Sequence, residues 1–208
     1  MYVPKHFAEE RVDVLHEAMQ RIGLATLVSL GSQGLIATHL PLVLDPSTGE
    51  FGTLFGHVAR GNPHWRDKDD GVQTLAIFLG PQAYVSPSWY ATKQETGKVV
   101  PTWNYLTVHA YGELTTYEEP TKLRAHVAQL TELHDQTWAV SDAPADYVDG
   151  MLKGIVGLEL RIARIEGKWK MSQNRPEADR LGAIAGLEAT GGALAHAVAE
   201  VMKATDRR

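Results

Sequence analysis

The 208-residue chain contains no cysteine. That removes disulfides, thiolate nucleophiles and thiolate-held zinc or iron–sulfur centres together. Any redox chemistry therefore has to come from a bound cofactor. Positive charge is not in excess either, because 20 Lys and Arg against 25 Asp and Glu leave a formal charge of −5 at pH 7. A chain of that sign offers phosphate backbones no general attraction, so direct DNA binding is doubtful without a local basic patch opposing the net field. No apolar run approaches the roughly 20 residues needed to span a bilayer. The opening MYVPKHFAEE has neither a basic stretch followed by an apolar run nor a small-residue cleavage site. The expected location is cytoplasmic. The nine histidines form no HExxH or His-x-His metal signature, and Gly-x-Ser-x-Gly, Walker and GxGxxG patterns are all missing.

What is present is an ordinary globular composition, 44% hydrophobic and 22% charged, in a length that suits one generous domain. Val12, Leu15, Met19 and Ile22 fall at helical spacing before Gly23, which predicts an opening helix. Strand-like runs follow at 25–30, 35–44 and 51–59, separated by the turn signals GSQG and DPSTGE. Two more, 74–80 and 82–90, are parted by Gly80-Pro81, and residues 104–117 alternate in the period-two pattern of a long strand with two different faces. Pro120 opens a helix carrying Leu123, Val127, Leu130 and Leu133. A shorter helix follows, with Asp142 as its expected cap. Residues 154–171 return to strand, and 176–205 read as alanine-rich helix broken near Gly191-Gly192. About six hairpin-connected strands with flanking helices describe an α+β fold whose antiparallel sheet could close into a barrel.

Three segments combine aromatic, basic and amide side chains in turn-prone contexts, the composition of ligand-contacting loops. In GHVARGNPHWR, backbone N–H groups and the Arg60 guanidinium could converge on an anion; the competing reading is a polar turn. YVSPSWY and VVPTWNY place Trp89, Trp103, Tyr90 and Tyr105 beside Ser86, Ser88, Thr102 and Asn104, which suits a flat heterocycle needing stacking and edge hydrogen bonds. Core or interface packing is the alternative for each tryptophan. GKWKMSQNRPEADR sets Lys168, Lys170 and Arg175 among Ser172, Gln173 and Asn174, a row of donors for a phosphate or a carbonyl edge. A basic surface turn is the alternative. His57 and His109 lie in strands beside these segments.

MYVPKHF, HLPLVLD, GHVARGNPHW, GPQAYVSPSWY, GKVVPTWNYLTVHAYGEL, DAPADYV, GIVGLEL and GKWKMSQNRPEADR, in that order from Met1 to about Leu187, resemble the PaiB-like family of FMN-binding proteins, often labelled negative transcriptional regulators. The resemblance implies an antiparallel split β-barrel of the pyridoxamine-phosphate-oxidase type with flanking helices. It also implies a homodimer with FMN in the cleft between subunits. Residues 1–187 would form the FMN-binding domain, and 188–208 a C-terminal helix packed on it or at the dimer interface. On the matching motifs, Arg60 and Asn62 would take the phosphate. His57, Val58, Ala59, Thr102, Trp103 and Asn104 would line the ring and ribityl chain, with Ser86 nearby and Lys168, Gln173 and Arg175 closing the site. A donor such as Lys168 at the ring's N1–O2 edge would favour the reduced anionic flavin. The implied role is flavin-dependent redox chemistry on a small molecule, with a nicotinamide donor one option, or redox-linked regulation. The alternatives are repression through DNA or a protein partner, and haem binding or degradation with His57 or His109 as axial ligand.

Overall fold

The computed structural model describes residues 1–206, so the last two residues of the expected C-terminal segment lie outside it. A 3₁₀ turn at Lys5–Phe7 leads into β1 (Ala8–Glu9), α1 (Val12–Ile22), β2 (Leu24–Gly31), β3 (Gly34–Pro41), β4 (Val43–Asp45) and β5 (Thr53–Ala59). Then come the single turn α2 (His64–Asp67), β6 (Thr74–Val85), α3 (Ala91–Thr96), β7 (Thr102–Tyr117), α4 (Pro120–His134) and α5 (Ala145–Leu152). The long β8 (Ile155–Lys170) precedes α6 (Glu177–Thr190) and α7 (Ala193–Asp206). The strands form one eight-stranded sheet in the order β3-β2-β6-β7-β8-β5-β4, with β1 added antiparallel on β8 at Ala8↔Lys168.

The chain divides into two compact units. The first comprises Met1–Leu15, Leu79–Val108 and the described residues from Glu166 onward; the second comprises His16–Phe78 and His109–Ile165. In the first, α6 and α7 pack together, burying Ala183, Ile184 and Leu187 on one helix and Val198, Ala199 and Met202 on the other. Glycine lets α6 lie directly on Trp89: a Cβ at Gly182 would stand 2.0 Å from the Trp89 carbonyl oxygen, and one at Gly186 2.2 Å from its indole. In the second unit, β2 pairs with β3 from Leu24↔Pro41 to Gly31↔Gly34, and β5 pairs with β8 from Thr53↔Arg161 to Ala59↔Ile155. Leu123 of α4 packs there with Val140, Val148 and Leu152. Glu119 caps α4, its carboxylate accepting from the N–H groups of Thr121 and Lys122 at 2.8 and 2.7 Å. That satisfies two of the helix's unpaired donors.

Four details differ from the sequence reading. The run 35–44 is two strands, β3 and β4, with Leu42 between them. Conversely, β6 continues through Gly80-Pro81. The buried positions are Thr74, Ala76 and Phe78 before that step but Ala83 and Val85 after it, so the alternation shifts by one residue there. Proline is tolerated because the pairing with β2 covers only Leu75, Ala76 and Ile77. Asp142 does not cap α5, whose N-cap is Pro144; its carboxylate accepts from Ala139 N–H at 2.9 Å and closes a 3₁₀ turn. Finally, β1, α2 and α3 are too short to leave a periodic signal.

Candidate functional site

In the first unit, the end of β8 and the turn after it carry three cations. Lys168 is only 8% exposed. Its Nζ donates to the Tyr2 carbonyl at 3.1 Å and lies 5.2 Å from the Tyr105 ring centre. Lys170 Nζ donates to the Trp103 carbonyl at 2.5 Å and to Thr102 Oγ1. The Arg175 guanidinium sits 5.0 Å over the Tyr90 ring. Among the described residues, none of the three has a carboxylate within ion-pair distance. Burial, and then the positive charges of Lys168 and Arg175, hold the Lys170 ammonium below its ordinary pKa. Clustered, partly desolvated cations whose repulsion no acid relieves form an arrangement that a bound anion stabilises.

The surroundings supply a planar-ligand surface as well. Trp103 is 53% exposed and meets Tyr84 edge-on at 6.3 Å between ring centres. Ser86 caps the 3₁₀ turn at Pro87–Trp89, its Oγ accepting from Ser88 N–H at 3.2 Å. Gln173 staples its own turn, donating to the Trp169 carbonyl at 2.5 Å and accepting from Met171 N–H at 2.8 Å. Asn104 has no exposed surface. Cations for a phosphate and an exposed indole for a ring fit the demands of a flavin mononucleotide.

The expected site residues of the second unit are arranged differently. Val58 is core. The Ala59 carbonyl accepts from Asn62 N–H at 2.8 Å. Arg60 donates through Nε to the Lys153 carbonyl at 2.7 Å, through Nη2 to the Ile155 carbonyl at 3.2 Å and through Nη1 to Glu118 at 2.6 Å. Asn62 accepts from His64 N–H at 2.9 Å and donates to Thr38 Oγ1 at 3.2 Å. Both expected phosphate ligands therefore have their polar groups engaged by protein. His57 Nδ1 meets His126 Nε2 at 3.1 Å. Burial lowers both imidazoles, His126 to about 4 with His57 adding to the effect. His109 stands 3.4 Å from the Tyr111 hydroxyl.

Sequence reasoning did not reveal the network around His64. This imidazole has no exposed surface, and contacts Thr38 Oγ1 at 2.8 Å and Ser29 Oγ at 2.9 Å; Ser29 Oγ in turn meets Thr74 Oγ1 at 2.8 Å. Burial, and then Lys68, lower its pKa. A serine–imidazole pair sealed from solvent holds α2 against β2 and β3 and offers no substrate a path. His126 was also missed, although it lies three residues after Leu123, on the same buried stripe of α4. Among the described residues, no group of histidine, aspartate and glutamate could hold a metal ion. No described helix is long and apolar enough to cross a membrane.

Comparison with known proteins agrees with the fold. The chain is 32% identical to "Protease synthase and sporulation protein PAI 2" of Bacillus subtilis (strain 168), over 98% of this chain and 97% of that protein. Among solved structures it shares its fold with the conserved hypothetical protein Rv2991 from Mycobacterium tuberculosis, at TM-score 0.60 and 11% identity, covering 85% of this chain and 95% of that one. It also resembles the FAD and heme binding protein from Mycobacterium smegmatis, at TM-score 0.58 and 14% identity, covering 89% and 80%. The expected fold class holds: an antiparallel split-barrel sheet with flanking helices. Residues 1–164 match the family described as "Putative FMN-binding domain", and the chain belongs to that family as a PaiB homologue with FMN as its cofactor.

Proposed function

We propose that this protein holds FMN on the basic turn of its first unit and uses it for redox chemistry on a small molecule or for redox-linked regulation. The observation that carries this reading is the set Lys168, Lys170 and Arg175, three cations with no carboxylate partner among the described residues. In a chain of net charge −5, leaving three cations unneutralised in one place is costly unless an anion joins them. Lys170 and Arg175 face the phosphate, Thr102 and the half-exposed Trp103 meet the ribityl chain and ring, and Lys168 stays beneath them among tyrosines. Ser86 and Gln173 shape the neighbouring backbone. His57, Val58, Ala59, Arg60 and Asn62 are assigned to holding the second unit together. FMN, when bound, supplies one-electron and hydride transfer, chemistry that a cysteine-free chain lacks. The protein's share is to bind and orient the group.

The purified protein should be yellow and release FMN on denaturation. A colourless protein that takes up no added FMN in a titration overturns the reading, and a sharp Soret band after haem addition favours haem instead. The proposal includes two copies of the chain, the exposed Tyr84–Trp103 pair being the surface a second copy would cover. Light scattering that gives a monomer at micromolar concentration removes that part.

A further inference from the structure

The turn that carries Arg175 is held from below. Ser172, its first residue, has φ of +63°, a left-handed conformation that residues with a side chain rarely adopt and hold only under strain. It is buried, and its carbonyl accepts from Arg175 N–H at 2.9 Å, which closes the turn. Its Oγ accepts from Asn104 Nδ2 at 3.0 Å and donates to Asn104 Oδ1 at 3.1 Å. Asn104 Nδ2 also reaches Met202 Sδ of α7 at 3.3 Å. The three side chains have almost no exposed surface. The period-two pattern of β7 explains Asn104: it shares the inward face with Leu106, Val108 and Ala110, while Trp103 and Tyr105 point the other way. An amide buried in that row cannot lie against a cofactor, yet it is bonded to the one strained residue of the basic turn.

We infer that Asn104, with Ser172 and Met202, is a positioning device that fixes the left-handed backbone at the start of this turn and so aims Arg175 at the phosphate of the flavin. The inference rests on the flavin reading above and adds specificity to it: the device favours the phosphorylated flavin over riboflavin without touching either. Removing the amide frees the Ser172 hydroxyl, and the turn can relax out of the strained conformation. The ring-facing Trp103 stays where β7 puts it.

The test is a pair of titrations, FMN and riboflavin, on the wild-type protein and on Asn104→Ala, with thermal melting of each. The expected result is that FMN affinity falls about tenfold or more in the variant, the worth of one charge-assisted hydrogen bond to the phosphate, while riboflavin affinity stays within about twofold of wild type. Equal losses for both ligands, or no change in either, overturn the inference, because a structural amide would not discriminate between them. If Asn104→Ala does not fold, Ser172→Ala serves in its place: alanine keeps the strain at this φ but lacks the hydroxyl that Asn104 holds, and the same selective loss of FMN is expected. Wild-type protein that binds neither flavin defeats the flavin reading itself. Wild type that binds FMN with both variants unaltered defeats only the positioning device.

Discussion

The two units hold the same kinds of side chain in opposite conditions. In the second, Arg60 has three acceptors from its side chain alone, Asn62 is bonded at both ends of its amide, and His57 faces His126. In the first, Lys168, Lys170 and Arg175 are close enough for their charges to depress Lys170, and no described acid answers them. A cation whose charge is answered by a carboxylate, as Arg60 is by Glu118, stabilises the fold. A donor surrounded by like charge is available for a ligand. Residue type alone does not separate these cases; the partners do.

Acid should strain the second unit most. His126 sits at about 4 in the fold against its ordinary 6.5, because burial and then His57 disfavour its charged form. Between those values the unfolded chain binds more protons than the folded one, so stability is complete above about pH 6.5 and is lost as pH falls toward 4. The loss from this group is about 3 kcal/mol. Urea unfolding at pH 7 and pH 4.5 measures it, and His126→Gln should flatten the difference. A slope unchanged in the variant means the acid sensitivity lies elsewhere.

Arg175→Ala tests the other side of the comparison. FMN affinity should drop about 100-fold, equivalent to about 2.7 kcal/mol, while the melting temperature holds or rises as like-charge repulsion is relieved. Fluorescence titration with parallel melting reads both, and an unchanged affinity would place the phosphate elsewhere. Arg60→Ala should do the reverse, costing about 1–2 kcal/mol of stability through its carbonyl and carboxylate bonds and leaving FMN affinity within about twofold. A large affinity loss there would restore Arg60 as a phosphate ligand. The smallest effect is expected for Met202→Leu, a volume-conserving change that removes one sulfur acceptor. Its stability cost should stay below about 1.5 kcal/mol, as denaturant unfolding would show.

Much of this arrangement is legible in the sequence where periodicity is long. The alternation of 104–117 predicts a two-faced strand, and β7 is that strand. Read strictly, the same alternation assigns Asn104 to the core side with Leu106 and separates it from Trp103, which the motif resemblance alone does not do. The helical stripe from Leu123 likewise contains His126. What could not be read is pairing at a distance: Arg60 with the carbonyls of Lys153 and Ile155, or Ser172 with Asn104, join segments tens of residues apart. The shift of face at Gly80-Pro81 is a third case. Proline there looks like a chain break, and only the end of the β2 pairing shows why the strand continues.

The Ser29–His64–Thr38 chain has one consequence for any chemical survey of this protein. By distance it has the look of an activated hydroxyl, yet Ser29 and His64 are sealed inside the second unit. An active-site-directed fluorophosphonate, which labels serines by reacting where a substrate would, should leave the folded protein unmodified. Reactivity would need an opening that these same hydrogen bonds keep shut.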